Sequence, residues 1–444
     1  MERNLTNGSI WGNIVSFSLP YLFSYFLQTL YGMADLYIVG QFNDTAQITA
    51  VSVGSQVMHM LTVMIVGLAM GTTVSIARAV GAGEGRRTSA IVGSTITLFM
   101  VVALAAMALL LVCVNPIVTL MSTPEAAVAG TRQYLTICFV GIPFITAYNI
   151  ISSIFRGLGD SKSPMYFIAA ACGANIALDY LFIGALGLGV AGAALGTVLS
   201  QTLSVLIALV TIRLRRSGLQ LKMGDLRPRK AVLRPILRVG IPVALQDGFI
   251  QIAFIVITII ANQRGLNDAA AVGIVEKVIG MLFLVPSSML STVSAISAQN
   301  IGAGRHERAA KTLRCAILIC VLFGAAVVVL VQNSAESIVA LFDRSPAVVL
   351  AGGQYFRGYV WDCIFAGIHF CFSGYFCAYG RSDISFLHNM LSIVLVRIPG
   401  SYLMSALFVS TLLPMGFAAP AGSLLSVLVC LIAFGWLRRR HKLG

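Results

Sequence analysis

The chain has 444 residues, of which 58% are hydrophobic and only 10% charged, and its mean hydropathy is +0.90. Roughly a quarter of the residues in a soluble globular chain are charged, and 30 basic plus 16 acidic side chains cannot cover a sphere of this length with a polar skin. An ordinary water-soluble protein is therefore excluded. The net charge of +14 is scattered in short clusters between apolar runs, which argues against a nucleic-acid-binding face.

A helix needs about 20 apolar residues to cross the roughly 30 Å hydrocarbon layer. Apolar runs and their breakers predict helices over 14–40, 48–78, 88–114, 127–157, 163–185 and 189–212, then a basic connector over 213–233. Six more follow, over 234–262, 269–299, 309–332, 347–379, 384–410 and 416–437. The predicted fold is an all-α polytopic membrane protein with twelve transmembrane helices, six in an amino-terminal lobe (1–212) and six in a carboxy-terminal lobe (234–444). MERNLTNGSIWGN at the start lacks the features of a secretory signal, so the first run is expected to remain as a span. All nine cysteines sit inside apolar runs with no metal-ligand spacing and read as packing residues.

Lys and Arg accumulate in cytoplasmic loops. Arg3, the Arg78/Arg86/Arg87 group, Arg156 with Lys162, the connector from Arg213, Arg215 and Arg216 onward, Arg305 and Arg308, Arg381, and the tail through Lys442 all fall on one side. Arg132, Arg264, Arg344 and Arg357 fall on the other. Both termini are expected in the cytoplasm.

The halves repeat. ARAVGAGEGRR (77–87) and AQNIGAGRHER (298–308) stand 221 residues apart, as do Gln133-Tyr134 and Gln354-Tyr355, and FRGLGD (155–160) and FCAYGR (376–381). Pro20 and Pro242 open the first helix of each half. An even number of crossings per repeat implies two lobes related by an axis along the membrane normal.

An ionisable side chain near the bilayer centre costs about 2.5–3.5 kcal/mol and usually faces a polar cavity. Asp35 in the first helix and Asp179 in the fifth are such groups, as are Glu276 and Lys277, Asp362 and His369, and Arg397. Tyr31 and Asp35, and Asn175 and Asp179, are each four residues apart and share a helix face. Burial disfavours a charged carboxylate, so uptake of a proton or a monovalent cation would relieve either acid. Pro20, about four turns before Asp35, supplies a bend that such uptake would alter. No metal-ligand cluster, nucleophile motif or phosphate-binding loop is visible, which points away from an enzyme and from ATP-driven transport.

LPYLFSYFLQTLYGMADLYIVGQ, ARAVGAGEGRR, RGLGDSKSP (156–164) and NIALDYLFIGALGLGVAGAALGTVLSQ resemble the multidrug and toxic compound extrusion (MATE) transporters, closest to their DinF-like bacterial branch. The resemblance covers nearly the whole chain. It implies a V-shaped bundle in a bacterial inner membrane that exports bulky, mostly cationic amphipathic compounds in exchange for inward H⁺ or Na⁺, with no other cofactor. The cation site would comprise Asp35, Asn175, Asp179 and Thr197 with Tyr31 beside it, Na⁺ sitting at Asp35 and Asp179 where it is the coupling ion. Gln28, Asn149 and Gln201 would line the substrate cavity, and Pro20 would be the bend. Glu276 and Asp362 are the candidates for a second-lobe polar site, although NorM-like relatives carry an acid in the seventh helix where this chain has Gln251 and Ile252. Expected partners are small organic cations and membrane lipids, not nucleic acid, and the chain is expected to be a monomer. A flippase for lipid-linked saccharides, from the wider superfamily, is the main alternative. It would favour more cavity Arg and Lys than Lys277 and Arg397. A passive channel is the other.

Overall fold

Among the described residues of the computed structural model, ten continuous helices and two bent helix pairs are long and apolar enough to cross a membrane. The structure describes residues 4–214 and 222–440, so Arg3, Arg215, Arg216 and Lys442 of the basic clusters lie outside the described residues, as does 217–221 of the connector. In chain order the segments are α1 (Ile10–Phe42), α2 (Thr45–Gly81), α3 (Gly85–Val112), α4 (Glu125–Val140 with Ile142–Gly157), α5 (Lys162–Ala185) and α6 (Gly189–Leu214). After the connector come α7 (Lys230–Gln263), α8 (Leu266–Gly302), α9 (His306–Val339), α10 (Pro346–Tyr359 with Asp362–Ala378), α11 (Ser382–Leu407) and α12 (Leu413–Leu437). No strand occurs among the described residues. At 37 residues each, α2 and α8 are about 55 Å long, more than a perpendicular crossing needs, so they tilt or extend into water.

The repeated sequence landmarks turn out to be helix stops. Gly83 and Gly304, the last residues of the two GAG triplets, adopt φ of 72° in both copies. Behind them Glu84 N donates to Ala79 O and Arg305 N to Asn300 O, closing α2 and α8 with the same left-handed cap. Gly159 and Gly380 end α4 and α10 in the same way, at φ of 88° and 71°. Asp160 then opens α5 by accepting from the backbone N–H groups of Lys162 and Ser163, each at 3.0 Å.

Two predicted helices are corrected. The expected single runs 127–157 and 347–379 are each broken, by 50° at Gly141 and by 41° at Val360–Trp361. Pro143 in the first turn after Gly141 lacks the N–H that an unbroken helix would use, and a side chain at Gly141 would strike Val198 of α6, so the bend sits where α4 approaches α6. No proline marks the α10 break. Helices α5 and α11 also carry wide π turns, Tyr180–Ala185 directly after Asp179 and Ile393–Arg397 ending on Arg397.

Packing divides the described chain into two units, one containing Leu19–Gly240 and the other Leu5–Ser18 with the chain from Ile241 onward. These limits differ from the repeat boundaries 1–212 and 234–444, because each division falls within the first helix of a repeat, directly before Leu19-Pro20 and Ile241-Pro242. In the first unit α2 packs on both halves of α4 and α5 on α6, around Tyr134, Leu135, Phe139 and Ile142. The early part of α7 joins it by close backbone approach, Gly71 resting on Ile236 O and Gly240 on Leu68 O. In the second unit α8 and α9 pack on α10, and Gly374 lies against Leu290 O. Small residues at these crossings bring backbones together, the usual means of association where lipid is as apolar as the side chains.

Candidate functional site

Three helices of the first unit converge on Asp35. Asp35 of α1 is 4% exposed, Asn175 and Asp179 of α5 are 1% and 0%, and Thr197 of α6 is 9%. Thr197 Oγ1 donates to Asp35 Oδ2 at 3.2 Å. Asp179 and Asn175 also lie within interaction range of the Asp35 carboxyl. Gly196, one residue before Thr197, makes room for this arrangement, since a Cβ there would strike Asp179 Oδ1. Asp35 Oδ1, both oxygens of Asp179 and both amide atoms of Asn175 have no hydrogen-bond partner among the described residues. Neither carboxylate forms an ion pair there.

Two buried acids that face each other without a basic partner repel, and the oxygens of one hydroxyl, one amide and two carboxylates are a hard donor set. Such a cluster can accept a proton shared between the carboxyls or a monovalent cation. No group of three His, Cys, Asp or Glu suited to a metal ion occurs among the described residues, so a Na⁺ ion would draw on the hydroxyl and amide oxygens as well.

Of the remaining expected residues, Tyr31 adjoins this cluster and Gln28 connects to it through Tyr148. Tyr31 is half-buried, with Asp35, Tyr148, Cys138 and Cys172 as neighbours. Gln28 reaches Tyr148. Asn149 is buried and its amide donates to Ile145 O on its own helix at 2.8 Å, whereas Gln201 is buried with Oε1 unpartnered. Pro20 lies inside α1, with Ser24 Oγ bonded to its carbonyl at 2.8 Å. Sequence reasoning missed Tyr134. It is buried with Asp35, Tyr31 and Cys138 around it, its side chain reaches Thr197, and Gly54 of α2 leaves space for its ring. Its signal was the repeated Gln-Tyr pair.

The second unit is built differently. Asp362 of α10, fully buried, receives Arg397 Nη2 of α11 at 2.6 Å. Glu276 of α8 accepts from Thr258 Oγ1 at 3.4 Å, keeps Oε1 unpartnered, and lies in the field of Arg397. Tyr355, the repeat counterpart of Tyr134, stands beside Glu276, Asp362 and Arg397. Glu276 and Asp362 thus share a neighbourhood organised by Arg397, a residue the sequence left unpaired. Lys277 is exposed. His369 packs against His388, with ring centres 5.5 Å apart. Asp247 of α7 is a further half-buried acid that the reading of charges within spans passed over, close to Cys377.

The family profile MatE matches residues 20–181 and again 242–403. The chain belongs to the MATE family. The two matched segments reproduce the repeat seen in the sequence. The probable multidrug resistance protein YoeA of Bacillus subtilis is 29% identical, over 75% of this chain and 74% of that protein. The multidrug export protein MepA of Staphylococcus aureus is 24% identical, over 89% and 87%. Among solved structures, a MATE protein in complex with MaL6 superposes with a TM-score of 0.90 at 23% identity, over 98% of this chain and 97% of that one. The protein is thus an all-helical member of a membrane transporter family.

Proposed function

We propose that this MATE protein is a secondary antiporter of a bacterial cell membrane that exports bulky, mostly cationic amphipathic compounds and takes up H⁺ or Na⁺ in exchange, with both termini in the cytoplasm. The observation that carries the reading is the buried Asp35–Asp179 pair, bounded by Thr197 and Asn175 and lacking any basic partner among the described residues. An acid pair of this kind is stable when it has gained a positive charge, and gaining one removes its attraction for a cationic substrate. Ion uptake and substrate release are then alternatives at one set of side chains. Gln28, Asn149 and Gln201 supply neutral polar contacts to the substrate, and Pro20 lets α1 change curvature as the pair titrates. The names of two relatives, the multidrug export protein MepA and the probable multidrug resistance protein YoeA, support drug efflux.

The test is exchange by purified protein in liposomes under an imposed proton or sodium gradient. Asp35→Asn is expected to abolish gradient-driven efflux while remaining inserted and folded. Full efflux by that variant would remove the proposal, and ion flux without substrate at a matching rate would make the protein a channel.

A further inference from the structure

The polar groups around Asp35 do not end there. On α1, Tyr21, Gln28, Tyr31 and Asp35 recur at steps of seven, three and four residues, and on the second half of α4, Tyr148, Ser152 and Arg156 recur every four, so each set lies along one helix face. The two faces meet. Tyr31 neighbours both Asp35 and Tyr148, and Tyr148 in turn neighbours Gln28, Ser152, Tyr21 and Arg156. The file ends where α4 runs into its loop to α5, with the Arg156 guanidinium 3.9 Å from the centre of the Tyr21 ring. Tyr148, Ser152 and Arg156 are 2%, 1% and 6% exposed; Tyr148 lies within reach of Ser152 and Gln28, yet Tyr148 Oη, Ser152 Oγ and Arg156 Nε complete no hydrogen bond of good geometry among the described residues.

Unpartnered buried polar atoms are rare, and three in a row on one helix face mark a path able to take up water or a migrating proton. Arg156 adds a second oddity. It is a buried full charge with no carboxylate partner among the described residues, held by the face of an aromatic ring. A packing role alone would be filled at less cost by an apolar side chain.

We propose that this file is the route between the Asp35–Asp179 pair and the α4–α5 loop, that Arg156 is its gating residue, and that the ion it passes is H⁺. The inference rests on the carboxylate pair being the coupling site, as argued above. A proton leaving the Asp35 carboxyl is relayed along hydroxyl oxygens and bridging water, each group accepting one proton and releasing another, so nothing is oxidised and no bare cation passes the guanidinium. A sodium ion would have to pass beside that fixed positive charge, and the guanidinium repels it.

Wild-type protein in liposomes should export substrate under a pH gradient alone and should not do so under a sodium gradient alone. Arg156→Gln should admit radioactive sodium without substrate at least about tenfold faster than wild type, because the local positive potential is gone. Arg156→Lys, which keeps the charge, should restore the barrier. Tyr148→Phe removes one oxygen and no charge, and should slow pH-driven efflux about tenfold with substrate affinity unchanged. It also carries the test if Arg156→Gln is lost from the membrane. Sodium-driven efflux by the wild type, sodium exclusion by a folded Arg156→Gln, or unchanged pH-driven efflux by Tyr148→Phe overturns the gate. If these variants behave as wild type while Asp35→Asn loses coupling, the gate fails and the carboxylate reading stands. Intact efflux in Asp35→Asn removes that reading itself.

Discussion

At the scale of single residues, the acid pair depends on a side chain that is missing. Gly196 has no Cβ, and the Asp179 carboxylate occupies the space a Cβ would fill. Gly196→Ala should therefore displace Asp179 from Asp35 at an overpacking cost of about 1–3 kcal/mol. The expected result is a lower melting temperature in detergent together with loss of gradient-driven efflux; a variant that melts and transports like the wild type would show that the contact at Gly196 is not what seats the acid. This dependence was not legible in the sequence, where Gly196 is one of many glycines in GALGLGVAGAALG. Asp35 and Asp179 were legible, because a charged side chain inside an apolar run is costly enough to need a reason, and Asn175 followed as the polar side chain one turn before Asp179. Tyr134 was marked only by the repeated Gln-Tyr pair, which shows a position shared by the two halves and not a role, since an aromatic residue in an apolar run looks like any other packing group. Asp247 shows that the same charge criterion has to be applied to every run: it stands in PVALQDGFIQ, plainly visible.

At the scale of helices, length and order follow from apolar runs and their stops, and the expected spans agree with the structure to within a few residues at most ends. What apolar periodicity does not encode is a bend. α4 and α10 read as continuous because Gly141 and Val360–Trp361 interrupt the backbone direction without interrupting the hydrophobic pattern. The π turns are invisible for the same reason, as they add a residue to a turn and leave composition unchanged. Helix contact, by contrast, can be tested directly. Gly374 of α10 lies on the carbonyl of Leu290 in α8, so Gly374→Val must push the two backbones apart, whereas Ser373, its neighbour, bonds His388 instead. Gly374→Val is expected to destabilise the second unit by about 1–3 kcal/mol, read as a fall in melting temperature. An unchanged melting curve would mean that α8 and α10 tolerate a wider spacing than their packing suggests.

At the scale of the whole chain, the basic clusters predict a topology and the repeat predicts a contrast. With both termini cytoplasmic, an impermeant maleimide added to intact cells should label Arg344→Cys, between α9 and α10, and should reach Glu307→Cys, at the start of α9, only after permeabilisation; the reverse pattern would invert the orientation. The contrast concerns charge. The two repeats share their helix stops, a broken fourth helix and a tyrosine beside buried acids, yet Asp35 and Asp179 have no basic partner among the described residues whereas Asp362 holds Arg397 at 2.6 Å. An ion pair already neutralises the second acid, so that acid has no need of an incoming cation. Removing only one partner is the costly change: Arg397→Gln leaves Asp362 buried without its charge partner, and should destabilise the protein by about 3–5 kcal/mol. Replacing both, Asp362→Asn with Arg397→Gln, leaves two neutral groups in place of the pair and should recover most of that loss. In transport, the double variant should still couple efflux to the ion gradient, while Asp35→Asn does not. Loss of coupling in a stably folded double variant would place an ion-carrying step in the second repeat as well, and the contrast between the repeats would then be one of structure without a division of labour.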